Sequence, residues 1–278
     1  MHITINNLAY SPDPGTDIAR LRAECGCNGA LALINGIPCP DTAPIQDGDR
    51  IVFIPAAAAH TPDDFNAVLA ERHGNATQQR LRGACVGVAG VGGLGSNVCL
   101  ALVRAGVGHL IIADHDVVEL SNLHRQQYFG AQIGIPKVEA LAETLYHINP
   151  HLKLDIHPAR VSSANAIRMF ADTDILVEAF DVAEAKAELV QSWMQHHPER
   201  PLVSASGMAG FGSANSIVTR NPFANLYVCG DGTSDVEHCG SLCAARVAVA
   251  ANHQAHAVIR LLLGLDPVKD VTIHRNLK

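Results

Sequence analysis

At 278 residues, 48% hydrophobic and 17% charged, the chain can bury a large core, which excludes a disordered or fibrous protein. A formal net charge of −7 argues against nucleic acid as the main ligand. No apolar run reaches membrane-spanning length, no N-terminal secretion signal is evident, and eight cysteines without a compact disulfide framework suit a reducing interior, so a cytoplasmic enzyme is expected.

In chain order, residues 2–5 alternate apolar and polar side chains as a half-buried strand does, and Thr16 is placed to cap a helix over 17–24. Residues 31–34 and 50–54 read as strands, with Asn35-Gly36 and Asp47-Gly48 as turn signals, the first of the tight hairpin type. Strands, one helix and further strands fit a small ubiquitin-like β-grasp domain over residues 1–58. Pro55 and the four alanines 56–59 end it. Residues 59–84 read as a linking helix, with Thr61 as N-cap and Pro62 at the first helical position.

Residues 85–278 then alternate strand and helix. Strands are predicted at 86–89, 110–113, 152–156, 175–177 and 202–205, and helices at 94–105, 136–148, 164–170, 183–196 and 244–263. Glycine-rich 206–213 and 229–240 read as loops. Such alternation predicts an α/β, Rossmann-like domain with a mostly parallel sheet and helices on both faces.

Gly90, Gly92 and Gly95 stand at G-x-G-x-x-G spacing between a predicted strand and a predicted helix. Glycines there let the backbone approach a phosphate, whose charge is favoured by free amides at a helix N-terminus. Asp114, 19 residues after Gly95, ends the next strand and suits a ribose hydroxyl. The glycines alone leave dinucleotide and ATP both open. Ser121-Asn122-Leu123-His124-Arg125-Gln126 follows, and an arginine beside phosphates points to chemistry at phosphorus. Against these readings, Asp114 could be a strand-end cap and Arg125 a surface ion pair.

Lys137, just inside a predicted helix, can aim a compact charge at phosphates or be a solvated lysine. Asp181, shortly after the strand at 175–177, can hold Mg²⁺ or cap the next helix. Cys229, Cys239 and Cys243 include no CxxC pair, which argues against a zinc clamp.

Residues 80–264 resemble the ThiF/MoeB/HesA family, relatives of ubiquitin-activating enzymes, above all its sulfur-carrier-activating branch in thiamine synthesis. The resemblance rests on GVAGVGGLGSNVCLALVRAGVG, DHDVVELSNLHRQQY, IGIPKVEAL, INP, DILVEAFDVAEAKAELV, SASGMAGFGSANSIVTR and YVCGD, in that order. It implies adenylation, in which the C-terminal carboxylate of a ubiquitin-like sulfur carrier ending in Gly-Gly attacks the α-phosphorus of ATP and releases pyrophosphate. It also implies that Gly90, Gly92, Gly93 and Gly95 line the nucleotide and Asp114 holds the ribose. Asn122, Arg125, Gln126 and Lys137 would face the phosphates, and Asp181 would hold Mg²⁺. A homodimer is implied, with an arginine acting across it; Arg72 is the candidate, and Arg80 and Arg82 compete.

Two departures from the family pattern stand out: the CxxC zinc clamp of many relatives is absent, and Ala245 replaces a proline before the Arg246-Val247 pair of the last helix. LINGIPCP and IQDGDRIVFIP resemble the sulfur carrier itself, but the strand runs on into Pro55-Ala56 without a terminal Gly-Gly. Adenylation of a peptide C-terminus or a modified tRNA nucleoside, an NAD-dependent oxidoreductase, and a non-catalytic carrier-binding module are the competing functions.

Overall fold

The computed structural model describes residues 1–6, 8–54 and 62–269. Strand β1 (Ile3–Ile5) pairs antiparallel with β2 (Leu8–Tyr10) and parallel with β5 (Arg50–Ile54). β5 pairs antiparallel with β3 (Leu31–Ile34), which turns back into β4 (Ile37–Pro38). The order is therefore β2-β1-β5-β3-β4.

Period-two alternation divides the apolar side chains between two faces. Ala32, Ile51 and Phe53 pack with Ile18 and Leu21 of helix α1 (Ile18–Glu24), whereas Leu33, Val52 and Ile54 join the large core built by residues 81–258. Burying each of these last three is worth roughly 1.5–3 kcal/mol, so apolar contact is a large part of what holds the N-terminal unit to the rest.

The predicted cap is corrected: the helix begins at Ile18, so its N-cap is Asp17, whose carboxylate accepts from the Arg20 amide at 2.9 Å. Thr16 is buried one residue earlier. Asn35 (φ 51°) and Gly36 (φ 79°) form the left-handed pair that a tight hairpin needs.

The linking segment is two helices, not one. α2 (Pro62–His73) and α3 (Asn75–Gly83) are separated by Gly74, whose φ of +87° no helix accommodates. Pro62 is the first helical residue, and Thr61 lies outside the described residues.

Beyond it lies a seven-stranded sheet. Its strands are β6 (Cys85–Ala89), β7 (His109–Ala113), β8 (Lys153–His157), β9 (Ile175–Glu178), β10 (Leu202–Ala205), β11 (Val218–Phe223) and β12 (Leu226–Gly230). The order β11-β12-β10-β9-β6-β7-β8 is parallel except for the β11 edge. One face of the sheet carries α4 (Gly93–Ala105), α5 (Lys137–Ile148) and α9 (Ala244–Leu262). The other carries α6 (Ser163–Met169) and α7 (Ala183–His196), anchored by the fully buried Phe170 and Trp193.

The predicted loop at 229–240 is also corrected. Cys229 and Gly230 end β12, and Val236–Cys239 form a short helix, α8. The chain reaches β12 through the antiparallel edge β11, so no helix announces the strand.

From β6 the chain moves one way to β7 and β8, then crosses to β9, β10 and β12 on the other side. The carboxyl ends of β6 and β9 thus form the switch point at which open α/β sheets bind ligands. Gly95 makes this junction possible, since a Cβ there would lie 1.9 Å from the Gly90 carbonyl oxygen. Gly95→Ala is expected to cost at least about 2 kcal/mol in urea unfolding. An unchanged midpoint would contradict this packing.

Candidate functional site

A cavity of about 590 Å³ opens at the switch point, within the range of a small-ligand site. Its floor is the loop from β6 into α4. Gly90 has φ +87°, and a Cβ on it would lie 2.9 Å from the Ala179 carbonyl oxygen beyond β9. The loop is pinned from β7: the Asp114 carboxylate accepts from the Val91 amide at 2.8 Å and from the Asp116 amide at 2.9 Å. Tyr128, whose hydroxyl burial pushes well above its ordinary pKa, donates to the Val91 carbonyl at 2.6 Å.

The structure brings Gly90, Gly92, Gly93, Asp114, Arg125, Gln126, Lys137 and Asp181 to this one cavity. Lys137, in the first turn of α5, is buried and meets the Asp116 carboxylate at 2.7 Å. Burial works to raise the pKa of Asp116, but the Lys137 ammonium outweighs it and holds the carboxyl below its usual range. Arg125 is half-buried and donates to the Ser121 carbonyl at 3.1 Å. Among the described residues its guanidinium meets no carboxylate. Gln126 is buried, and among the described residues its Oε1 has no hydrogen-bond partner.

Two expected wall residues lie elsewhere. Gly95 faces the Gly90 carbonyl inside the strand–helix junction. Asn122 turns its Oδ1 back onto the Glu119 amide at 3.0 Å, and its carbonyl accepts from the Arg125 and Gln126 amides. It shapes the turn that presents Arg125 and does not line the cavity.

Asp181 offers one carboxylate to a hard divalent cation, which takes the rest of its shell from phosphate oxygens and water. Asp114, His115 and Asp116 bring ligand atoms within 4.8 Å of one another, yet Asp114 is committed to backbone amides and Asp116 to Lys137. Asp181 is exposed on the wall and, among the described residues, enters no ion pair.

Sequence reasoning missed two buried ion pairs bordering the cavity. Glu178 is fully buried at the end of β9; Lys186, which lines the cavity, meets its two oxygens at 2.6 and 2.8 Å. The signal was a carboxylate ending an apolar strand, with a lysine inside the following helix. The second pair is Arg246 with Asp231, at 2.6 Å. Arg246 also donates to the Gly212 carbonyl and Ser216 hydroxyl, tying the loop after β10 to the loop after β12. Its signal was an arginine opening a helix whose inward face is otherwise apolar.

Cys229 is buried, its thiol pushed up to about 11 by burial; Cys239 is exposed on α8 and Cys243 precedes α9. Arg72 is exposed on α2, and Arg80 donates to the Leu263 carbonyl at 2.8 Å. Neither these arginines nor Arg82 lines the cavity.

A family model described as the ThiF family matches residues 66–277. The chain is 37% identical over 153 residues to the adenylyltransferase and sulfurtransferase UBA4 of Candida glabrata, covering 55% of this chain and 35% of that protein. It is 40% identical over 105 residues to the sulfur carrier protein adenylyltransferase of Thermus thermophilus, covering 37% of this chain and 39% of that protein. The matches thus span under two fifths of these relatives' length.

Among solved structures, E. coli tRNA N6-threonylcarbamoyladenosine dehydratase has a TM-score of 0.66 at 19% identity, covering 74% of this chain and 98% of that chain. E. coli MccB with AMPCPP and MccA has a TM-score of 0.57 at 21% identity, covering 75% and 66%. At these identities the likeness is one of fold.

Asp231 generates a pH prediction. Burial works to raise its pKa, but the Ser234 and Thr233 amides and Arg246 outweigh it and hold the carboxyl well below its usual range. A depressed folded-state pKa stabilises fully above the unfolded value of about 3.9, and the contribution fades as pH falls toward the folded value. Asp231→Asn is expected to cost about 3 kcal/mol at neutral pH, with the deficit shrinking below about pH 4. Urea unfolding across a pH series checks this, and a deficit independent of pH would contradict it.

Proposed function

The chain belongs to the ThiF family, and from that premise we propose that it is an adenylyltransferase, joining a substrate carboxylate to the α-phosphorus of ATP with loss of pyrophosphate. The observation that carries this reading is the convergence of a glycine loop at a helix N-terminus, Arg125, Lys137 and Asp181 on one cavity. A nicotinamide reaction would give the last three no work.

The incoming carboxylate is already ionised at neutral pH, so no general base is needed. One C–O–P bond forms as the bond from the α-phosphorus to the bridging oxygen breaks, and the electron pair leaves with pyrophosphate. Charge grows on the equatorial and leaving oxygens, where preorganised cations lower the barrier most. Arg125 suits that role because no carboxylate already compensates it among the described residues. Lys137 adds a charge fixed in place by Asp116. Asp114 orients the ribose, and the amides after Gly92 face the phosphates. Asp181 would hold Mg²⁺, which would neutralise phosphate charge when bound.

The substrate proposed is a ubiquitin-like sulfur carrier with a free C-terminal Gly-Gly, of the kind used for the thiamine thiazole. The Thermus thermophilus relative, named a sulfur carrier protein adenylyltransferase, supports the carrier class, and the UBA4 relative, named an adenylyltransferase and sulfurtransferase, supports the chemistry. We read the N-terminal unit as a carrier-like appendage and not the substrate, since β5 runs on into Pro55 and offers no carboxylate. A cytoplasmic homodimer completes the proposal, with Arg72 the candidate arginine acting across it.

Arg125→Ala and Asp181→Ala are each expected to lower carrier-dependent ATP–pyrophosphate exchange at least tenfold, about 1.4 kcal/mol of transition-state stabilisation. Parallel assays with a carrier, a peptide ending in a free carboxylate and tRNA identify the substrate class. Near-normal exchange in both variants would remove the mechanism.

A further inference from the structure

We propose that the N-terminal unit acts on the nucleotide site from outside it. In this arrangement Arg50 is a positioning residue that holds α5, and so Lys137, against the glycine loop. The inference rests on the adenylation reading, because a phosphate ligand is what makes the placement of Lys137 measurable.

Arg50, at the start of β5, reaches across to α5, where it meets Glu143 at 3.1 Å and Glu139 at 3.5 Å. All three side chains are at most 17% exposed, so the triad is largely removed from water. The Glu143 contact is a hydrogen bond; the longer one to Glu139 is a contact of charge. Glu139 lies in the same helical turn as Lys137, and Glu143 one turn further on. Burial raises the pKa of Glu139, and Arg50 opposes that rise.

A second contact is steric. Gly36, in the β3–β4 turn, sits on the same first turn of α5, where a Cβ would come within 2.9 Å of the Glu139 Cα. The unit therefore grips the helix at its cavity end by both charge and shape.

The grip continues toward the nucleotide loop. Glu143 accepts from Gln132 Nε2 at 3.3 Å, and the Oε1 of Gln132 accepts from the Phe129 amide at 3.0 Å. Gln132 is buried and also donates to the Ala140 carbonyl. The neighbouring Tyr128 then donates to Val91 within the glycine loop. Arg50 thus touches a packed series that leads along α5 to Lys137, which lines the cavity, and through Gln132 and the 128–129 backbone to Val91, inside the glycine loop. An appendage that merely hung from the domain would need neither contact.

The test uses the full chain and four variants, with ATP affinity measured by calorimetry, KM and kcat by pyrophosphate exchange, and melting temperature recorded for each. Arg50→Ala removes the charge contact and Gly36→Ala wedges the turn off α5. In each, ATP affinity is expected to weaken about tenfold, with KM for ATP rising more than kcat falls. Arg50→Lys keeps the positive charge beside Glu139 and Glu143 and is expected to retain most of the affinity that Arg50→Ala loses.

Ile18→Val, inside the unit's own core, serves as the control: it lowers melting temperature without moving ATP affinity. Unchanged ATP affinity in both Arg50→Ala and Gly36→Ala would overturn the inference. Affinity that merely follows melting temperature, with Ile18→Val included, would overturn it too. If the unaltered chain binds no ATP, the adenylation reading falls as well, an outcome distinct from the other two.

Discussion

The backbone between β6 and α4 passes so close to its neighbours that side chains have no room. At Gly90 a Cβ would press on the carbonyl after β9, and at Gly95 it would overlap the carbonyl of Gly90 itself. Because the loop is this tight, α4 starts directly under the switch point with its free amides facing the cavity. The surrounding elements then fasten onto the loop. Asp114 accepts the Val91 amide from the β7 side, and Tyr128 donates to the Val91 carbonyl from the opposite side. The segment carrying Arg125 is held by the same anchors, so loop geometry and cation placement are one constraint.

Charge is distributed around the cavity in a consistent way. Lys137 is matched by Asp116, Lys186 by Glu178, Arg246 by Asp231, and Arg50 by Glu139 and Glu143. A buried cation without a partner would destabilise the fold by several kcal/mol, so these pairs are a condition of folding. Arg125 stands apart from them: half-buried, on a short turn, with only a carbonyl and a histidine ring near its Nη1 among the described residues. An anionic ligand gains most where a cation is preorganised and not yet compensated, which is why the proposed chemistry centres there.

Much of this was legible in the sequence wherever one local signal sufficed. The bounds of β3, β5, α7 and β10 follow directly from apolar periodicity. The glycine loop was legible from its spacing, whereas Arg125, Lys137 and Asp181 each had a bland alternative and were singled out together by the family resemblance. What stayed hidden depended on tertiary contact. β12 has no helix before it, because an edge strand replaces the expected crossover. Gly74 looks like any helix-interior glycine until its left-handed conformation is seen. Asp17 displaces Thr16 as cap because burial of Ile18 and Leu21 fixes where α1 starts. Asn122 carries a motif position, yet its side chain is spent on closing the turn. Lys186 and Asp231 acquire meaning only through partners 8 and 15 positions away in the chain.

The central claim, that this cavity transfers an adenylyl group to a carboxylate, is tested most directly by following phosphorus. ATP labelled at the α-position and ATP labelled at the γ-position are each incubated with the chain and a small carrier ending in Gly-Gly, and the carrier is isolated under conditions that preserve a mixed anhydride. The account predicts that α-label alone appears on the carrier, and that hydroxylamine, which cleaves acyl-adenylates, releases it. Label arriving from the γ-position would contradict adenylation, as would a carrier that stays unlabelled while ATP is bound.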